Sequence, residues 1–330
     1  MQQLIDSLIE RTVVPSFSSI GPTIRRRLFK WPPLDSYSLD GRIIVLTGAT
    51  SGIGEISAHL YAQLGASLVI VARDTDKTDA LLEQLKRETG NDNIRAVIGD
   101  LGEQSEVRRV CTELEAMLPH IDVLVHNAGA LFNTRRHASN GTDLAVELMV
   151  TTPFLMNTLL LDKLVSGPRT SRVLTMSSGG MYTATLDVDG LQMPDASYQG
   201  AQQYARAKRA QVSLNTMWAA KIAHDECVFH ALHPGWVATP GISEALPRFS
   251  RLLGPLGLLR SRLNGADTLV WLSAADSVLK RSGFFWHDRA IRSPYMSRAT
   301  RDSDTISEQE KLWDWCARVR FLSAGIPVSS

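Results

Sequence analysis

RIIVLTGATSGIG, residues 42–54, places a short apolar run directly before a loop carrying Gly48, Gly52 and Gly54. The run is rich in Val, Ile and Leu and does not alternate apolar with polar, which predicts a strand buried on both faces. IGEISAHLYAQLG begins inside the loop and has the apolar spacing of an amphipathic helix. Glycines at such a turn let the backbone bend tightly and approach a pyrophosphate, whose charge is met by the amides and dipole of the helix N-terminus. Glycine also marks any tight turn, so the flanking strand and helix are what make this a dinucleotide fingerprint, with Gly48, Ser51, Gly52, Ile53 and Gly54 facing the cofactor.

The same alternation continues downstream. SLVIVAR, IRAVIGD, IDVLVHN, SRVLTMS and CVFHALHPG are further strand-length apolar runs, separated by segments of helical spacing such as DKTDALLEQLKRETG and EQSEVRRVCTELEAML. Strand, helix, strand in repetition predicts parallel strands joined by right-handed crossovers. The expected fold is therefore α/β, a Rossmann-type doubly wound parallel sheet flanked by helices, in a single domain spanning residues 41–290. Residues 1–40 form a basic, partly amphipathic arm before it, and residues 291–330 a polar tail with a helix around EQEKLWDWC.

The end of the second strand discriminates between cofactors. An acidic residue there would take the ribose hydroxyls of NAD, but the sequence reads VIVARD, with Arg73 following Ala72. A guanidinium suits a 2′-phosphate through charge-assisted bidentate bonds, so NADP(H) is favoured over NAD(H). Asp74, one place on, reads as the N-cap of the next helix.

Composition sets the outer bounds. The chain has 330 residues, 44% of them hydrophobic, and a formal net charge of +1, enough material for a sizeable core and no global attraction to nucleic acid. Cys111, Cys227 and Cys316 lie far apart without a CxxC pair, which points away from a zinc ribbon or disulfide framework and towards a reducing, cytoplasmic compartment. No apolar run reaches the length of a membrane span. In the arm, IRRRLFKWPPL sets Arg25, Arg26, Arg27 and Lys30 beside Leu28, Phe29 and Trp31. That mixture could hold a protein peripherally on an anionic membrane, or could pack on the body of the fold with its arginines in water.

YARAK, residues 204–208, places Tyr204 and Lys208 one helical turn apart on a single face. Together with TGATSGIG, HNAG (126–129), MSSGG (176–180) and HPGWVATPG (233–241), in this order, the pattern resembles the short-chain dehydrogenase/reductase family over roughly residues 40–290. Within the family, SSGGM, YARAKRAQV, GADTLVW and SGFFWHD are similar to the branch of member-12-like dehydrogenase/reductases.

The resemblance implies NAD(P)-dependent interconversion of a carbonyl and an alcohol. Tyr204 would be the general acid or base, its phenol acidified by the ammonium of Lys208, which would also hold the nicotinamide ribose. Ser178 would donate to the substrate oxygen, with Ser177 as the alternative. Asp100 and Leu101 match the adenine contact, although Asp100 could equally cap a helix. Asn127, Ala128 and Gly129 match the stretch of backbone that passes close to the cofactor. Pro234 and Gly235 match the turn beneath the nicotinamide, Val237 a further cofactor contact, and Thr239 the hydroxyl that contacts the carboxamide or the pyrophosphate. No metal is required, because the cofactor carries the hydride chemistry. One departure stands out: where many members carry an asparagine in a proton relay, this chain places Met149, whose thioether cannot donate a hydrogen bond.

Residues 241–263, GISEALPRFSRLLGPLGLLRSRL, occupy the place of the family's substrate lid. Their leucines and Phe249 suggest an apolar carbonyl or alcohol substrate, or else simply pack on the core or a partner. Arg251, Arg260 and Arg262 could meet an acidic group or water. Related enzymes pair through the long helix that carries the lysine, so KRAQVSLNTMWAAKI could serve a homo-oligomer or the core.

Overall fold

The computed structural model describes residues 1–239 and 251–322, apart from the side chains of residues 319–322. Three short helices open the chain: α1 (Gln2–Glu10), α2 (Val13–Phe17) and α3 (Ile20–Leu28). The alternating part follows as β1 (Ile43–Thr47), α4 (Gly52–Gln63), β2 (Ser67–Ala72), α5 (Thr75–Thr89), β3 (Ile94–Ile98), α6 (Gln104–Met117) and β4 (Val123–His126). Next come α7 (Leu144–Val146), α8 (Thr152–Leu159), α9 (Leu161–Val165), β5 (Ser171–Met176), α10 (Gly200–Lys221) and β6 (Cys227–Leu232). After β6 lie α11 (Arg262–Ala274), β7 (Phe284–His287), β8 (Ala290–Arg292), α12 (Arg298–Asp302) and α13 (Ile306–Leu322).

The eight strands form one sheet in the order β3-β2-β1-β4-β5-β6-β7-β8. All neighbours are parallel except β8, which turns back antiparallel on β7. The order reverses between β1 and β4, the switch point at which doubly wound sheets open a crevice at their carboxyl ends. Burial on both faces explains why the inner strands β1, β2, β4, β5 and β6 read as continuous apolar runs. Within β1, Val45 packs into the core that contains Val69, Leu124 and Phe154, while Ile44 and Leu46 pack into the opposite core with Leu68, Ile70 and Val125. Local signals agree with the layers: the Asp74 side chain accepts from the Lys77 amide at 3.1 Å to start α5, and Gly90 ends it at φ 70°.

Two expectations need correction. The sheet does not stop at residue 290, because Ala290–Arg292 adds an edge strand, so a boundary there would cut through β8. Nor are the arginines of the arm all in water. Arg25 is fully buried, with ion pairs to Asp6 (2.7 Å), Glu10 (2.6 Å) and Asp288 (2.7 Å). The arm folds its acids inward around this guanidinium, and a charge surrounded by carboxylates can be buried where an isolated one could not.

Candidate active site

The site begins where β1 meets α4. Gly48 has φ 70°, and a Cβ there would lie 2.8 Å from Ala128 Cα. At Gly54 a Cβ would approach the Gly48 carbonyl oxygen to 2.0 Å and Asn127 Nδ2 to 2.6 Å. No side chain fits at either position, so the loop closes onto the Asn127–Gly129 stretch and leaves the α4 amides facing the crevice. Asn127 holds the two segments together, donating from Nδ2 to the Thr47 carbonyl (3.1 Å) and the Gly48 carbonyl (2.9 Å). Thr47 Oγ1 accepts the amides of Asn127 and Ala128, both at 3.0 Å.

One cavity of about 630 Å³ runs along this edge of the sheet, and every sequence-predicted site residue lines it. Ser51, Gly52 and Ile53 form the floor with the glycines already described. Arg73 is exposed at the end of β2 and makes no salt bridge among the described residues, whereas Asp74 is committed to capping α5. Asp100 and Leu101 lie beyond β3, where the Asp100 carboxylate accepts the Gly102 amide at 2.9 Å. Pro234, Gly235, Val237 and Thr239 wall the opposite side, with Thr239 over the glycine loop, 3.4 Å from where a Gly52 Cβ would sit.

Ser178, Tyr204 and Lys208 meet in the middle of this wall. Tyr204 and Lys208 project from α10, and the lysine Nζ lies 5.5 Å from the phenol ring centroid. The two serines have different partners: Ser177 donates to the Lys208 carbonyl at 3.1 Å, while Ser178 caps the following turn by accepting the Gly180 amide at 3.2 Å. Ser177 is thus committed to the α10 backbone, while the Ser178 hydroxyl lines the same cavity as the phenol of Tyr204.

The electrostatics differ from the expectation. Burial raises the Tyr204 pKa, and the nearby Ser178 hydroxyl only partly offsets it. Burial lowers Lys208 to about 7, and its Nζ donates to the Met176 carbonyl at 2.8 Å. With a pKa of about 7 this lysine is only about half charged near neutrality, which weakens its pull on the phenol, and burial keeps Tyr204 protonated.

Met149 is fully buried in a π-helical turn, Glu147–Thr151, between α7 and α8. Its Sδ lies 3.2 Å from the position a Gly129 Cβ would take, and Lys208 Nζ lies 3.3 Å from the same point. The thioether therefore shares the lysine's immediate surroundings, where it offers no donor. Met149 also borders a cavity of about 20 Å³, large enough for about one water, whose mostly apolar lining includes the side chains of Asn157, Gln211 and Asn215.

Sequence reading passed over Thr50, Phe132, Arg136 and Trp236, which also line the main cavity. Trp236 was visible inside HPGWVATPG. Phe132 and Arg136, stacked at 5.3 Å, follow HNAG closely enough to have been flagged as an aromatic and a cation beside the cofactor strand. Residues 241–250 of the expected lid, including Phe249, lie outside the described residues. Arg260 is no substrate cation: it is buried and bonded to Asp288 at 2.6 Å.

Comparison with known proteins agrees with this geometry. The family model for short chain dehydrogenases matches residues 42–247. Dehydrogenase/reductase SDR family member 12 of Bos taurus is 34% identical over 273 residues, covering 82% of this chain and 84% of that protein. Polyprenol dehydrogenase of Mus musculus is 30% identical over 294 residues, covering 86% and 85%. Among solved structures, a short chain dehydrogenase from Escherichia coli CFT073 complexed with NADPH superposes with a TM-score of 0.62 at 22% identity, over 78% of this chain and 100% of that one. The chain belongs to the short-chain dehydrogenase/reductase family of NAD(P)-dependent oxidoreductases.

Proposed function

We propose that the protein reduces an apolar carbonyl to an alcohol, or runs the reverse, using NADP(H) in preference to NAD(H). The convergence of Ser178, Tyr204 and Lys208 on the cavity floored by the glycine loop carries this reading. The close packing of the loop on the Asn127–Gly129 stretch, possible because Gly48 and Gly54 carry no Cβ, floors a cavity of about 630 Å³ that suits a dinucleotide. Arg73, whose neighbour Asp74 is engaged in capping α5, would hold the 2′-phosphate. Asp100 and Leu101 would border the adenine, and Lys208 the nicotinamide ribose.

When bound, NADPH supplies the hydride to the carbonyl carbon. Ser178 donates a hydrogen bond to the carbonyl oxygen, and Tyr204 gives that oxygen its proton, which completes the alcohol. A phenol kept protonated by burial suits the reducing direction. Leu131, Phe132, Leu144, Leu148 and Trp236 give the substrate end an apolar lining, and a polyprenol dehydrogenase stands among the relatives. The free, buried cysteines fit a cytoplasmic setting.

The test has two stages. NADPH and NADH are titrated by fluorescence, and NADPH consumption is then followed over a panel of hydrophobic aldehydes and ketones, with Tyr204→Phe as the blank. NADPH-selective binding with turnover lost in Tyr204→Phe supports the reading. Tight binding without turnover across the panel would instead indicate an NADP-binding regulatory protein, for which Met149 beside Lys208 is the motivating feature.

A peripheral membrane contact is the second reading, favoured by the outer surface of the arm. Leu4 and Leu8 of α1 are 66% and 58% exposed, Ile24 and Phe29 are exposed nearby, and Ser19 bonds the 257–258 backbone beside the exposed Leu256. Arg11, Arg26, Arg27 and Lys30 also face outward, while Asp6 and Glu10 turn in towards Arg25. Apolar residues flanked by several exposed cations suit an anionic lipid surface. Among the described residues no helix is long and apolar enough to cross a membrane. Cosedimentation with phosphatidylserine vesicles that is lost in Leu4→Ser/Leu8→Ser would support the contact, and unchanged binding would remove it.

A further inference from the structure

The inner surface of the arm faces the active site. The Phe17 ring lies against His233 (4.5 Å between centroids), Trp236 (5.8 Å), Tyr182 (6.1 Å) and His287 (5.6 Å). Its Cε2 is 2.6 Å from where a Cβ on Gly179 would stand, directly after Ser178. The Phe17 carbonyl accepts the Trp236 amide at 2.7 Å and Arg260 Nε at 2.9 Å. One residue of the arm therefore touches both turns that bound the substrate end of the cavity, yet does not itself line it.

The contact is locked from behind. Arg260 donates to the Ser16 carbonyl at 2.5 Å and the Pro234 carbonyl at 3.1 Å, and its ion pair with Asp288 joins the Arg25 cluster. Gly235, at φ 80°, has no room for a Cβ, which would lie 2.6 Å from the Phe17 carbonyl oxygen and 2.2 Å from Arg260 Nε. His233 stacks on His287 at 3.8 Å and is held neutral by burial and by its cationic neighbours, so the ring against Phe17 acts as a packing surface.

We infer that Phe17 is a positioning residue of the active site, a wedge that sets the spacing between the Ser178–Gly180 turn and the Pro234–Trp236 turn. The inference rests on the assignment of those turns to substrate and cofactor made above. A displacement on the order of 1 Å of a substrate-positioning group can cost about 100-fold in rate. The Phe17 contacts reach one end of the cavity only, whereas the glycine loop and Arg73 hold the other.

The experiment uses the full chain carrying Phe17→Ala, Phe17→Leu or Gly179→Ala, the last disturbing the contact from the opposite side without opening a cavity. NADPH affinity, kcat and KM for the best carbonyl substrate, and amide exchange of residues 177–181 and 234–236 are measured well below the melting temperature. The expected result is NADPH affinity within about threefold of wild type, kcat reduced tenfold or more in Phe17→Ala and Gly179→Ala, partial recovery in Phe17→Leu, and faster exchange in the two turns but not in residues 48–54. An unchanged kcat and unchanged exchange in the turns, with only a lower melting temperature, would overturn the inference and leave the arm a clamp. Should Phe17→Ala fail to fold, Phe17→Leu and Gly179→Ala decide by the same criteria. If wild type reduces no carbonyl, the enzymatic reading fails separately, and the exchange pattern alone still supports or overturns the wedge.

Discussion

Arg25 and Asp288, 263 positions apart in the chain, meet at 2.7 Å where both side chains are buried. The pair ties the N-terminal arm to the end of β7. Burial alone would raise the Asp288 pKa, but His287, Arg260 and Arg25 more than offset it and hold the carboxyl well below its usual range. Asp288 also sits at φ 51°, a left-handed conformation that Asn tolerates, so Asp288→Asn removes the charge while keeping the backbone. Without the Asp288 charge Arg25 keeps Asp6 and Glu10, but the buried Arg260 loses its carboxylate partner, at a cost of about 3–5 kcal/mol. We expect Asp288→Asn to lose stability of this order at pH 7 by urea unfolding. Because the native pKa lies below that of the unfolded chain, the contribution is fully present above about pH 4 and fades as pH falls further. The gap between wild type and variant should therefore narrow on acidification; a constant gap would show that the loss comes from packing.

The Arg73 prediction concerns one bond type. A charge-assisted hydrogen bond contributes about 1.5–3 kcal/mol, so Arg73→Ala should weaken NADPH by roughly 10- to 150-fold. NADH, which lacks the 2′-phosphate, should bind the variant about as it binds wild type. Isothermal titration of both nucleotides checks this. Equal weakening of the two would mean that Arg73 contacts a group they share.

Lys208 is held at about pH 7 by desolvation, against a reference value of about 10.4. Between those values the unfolded chain binds more protons than the native protein, so this residue makes stability rise with pH across the window. Replacing it with methionine removes the penalty. Lys208→Met should raise the melting temperature at pH 6, with a gain that shrinks by pH 9, while abolishing turnover. NADPH binding near pH 8 should take up a fraction of a proton as the bound phosphates favour the ammonium, read as a dependence of binding heat on buffer ionisation and absent from Lys208→Met.

How much of this was legible in sequence depended on the range of the interactions. The strands could be read because parallel strands buried on both faces must be continuous apolar runs, as Ile44–Leu46 and Leu68–Val71 show. Gly48 and Gly54 could be read because their constraint is local backbone approach. The role of the arm could not, because Phe17 and Arg25 meet partners more than two hundred positions away, and a basic aromatic stretch looks the same whether its arginines face lipid, water or a buried carboxylate. The proton affinity of Tyr204 was misread for a related reason: the spacing of YARAK reports proximity to Lys208, while the desolvation of both groups is set by the assembled walls.

The long helix α10 raises the last question, that of assembly. Its run from Lys208 to Asn215 is buried within the single chain. Part of that cover comes from α13, where Trp313 packs on Trp218 (4.7 Å between centroids) and on Phe154 of α8 (4.9 Å), and Leu312 and Cys316 join the same core. A face already buried by its own C-terminal helix is closed to a partner copy, so pairing through α10 would require α13 to leave. We expect the full chain to sediment as a 36.3 kDa monomer at micromolar concentration. A chain ending at Asp304 would expose Trp218 and Phe154 and should associate in a concentration-dependent way. If the full chain forms a stable dimer, Trp218→Ala distinguishes the routes: a dimer running through α10 should weaken, while one formed on another surface should persist.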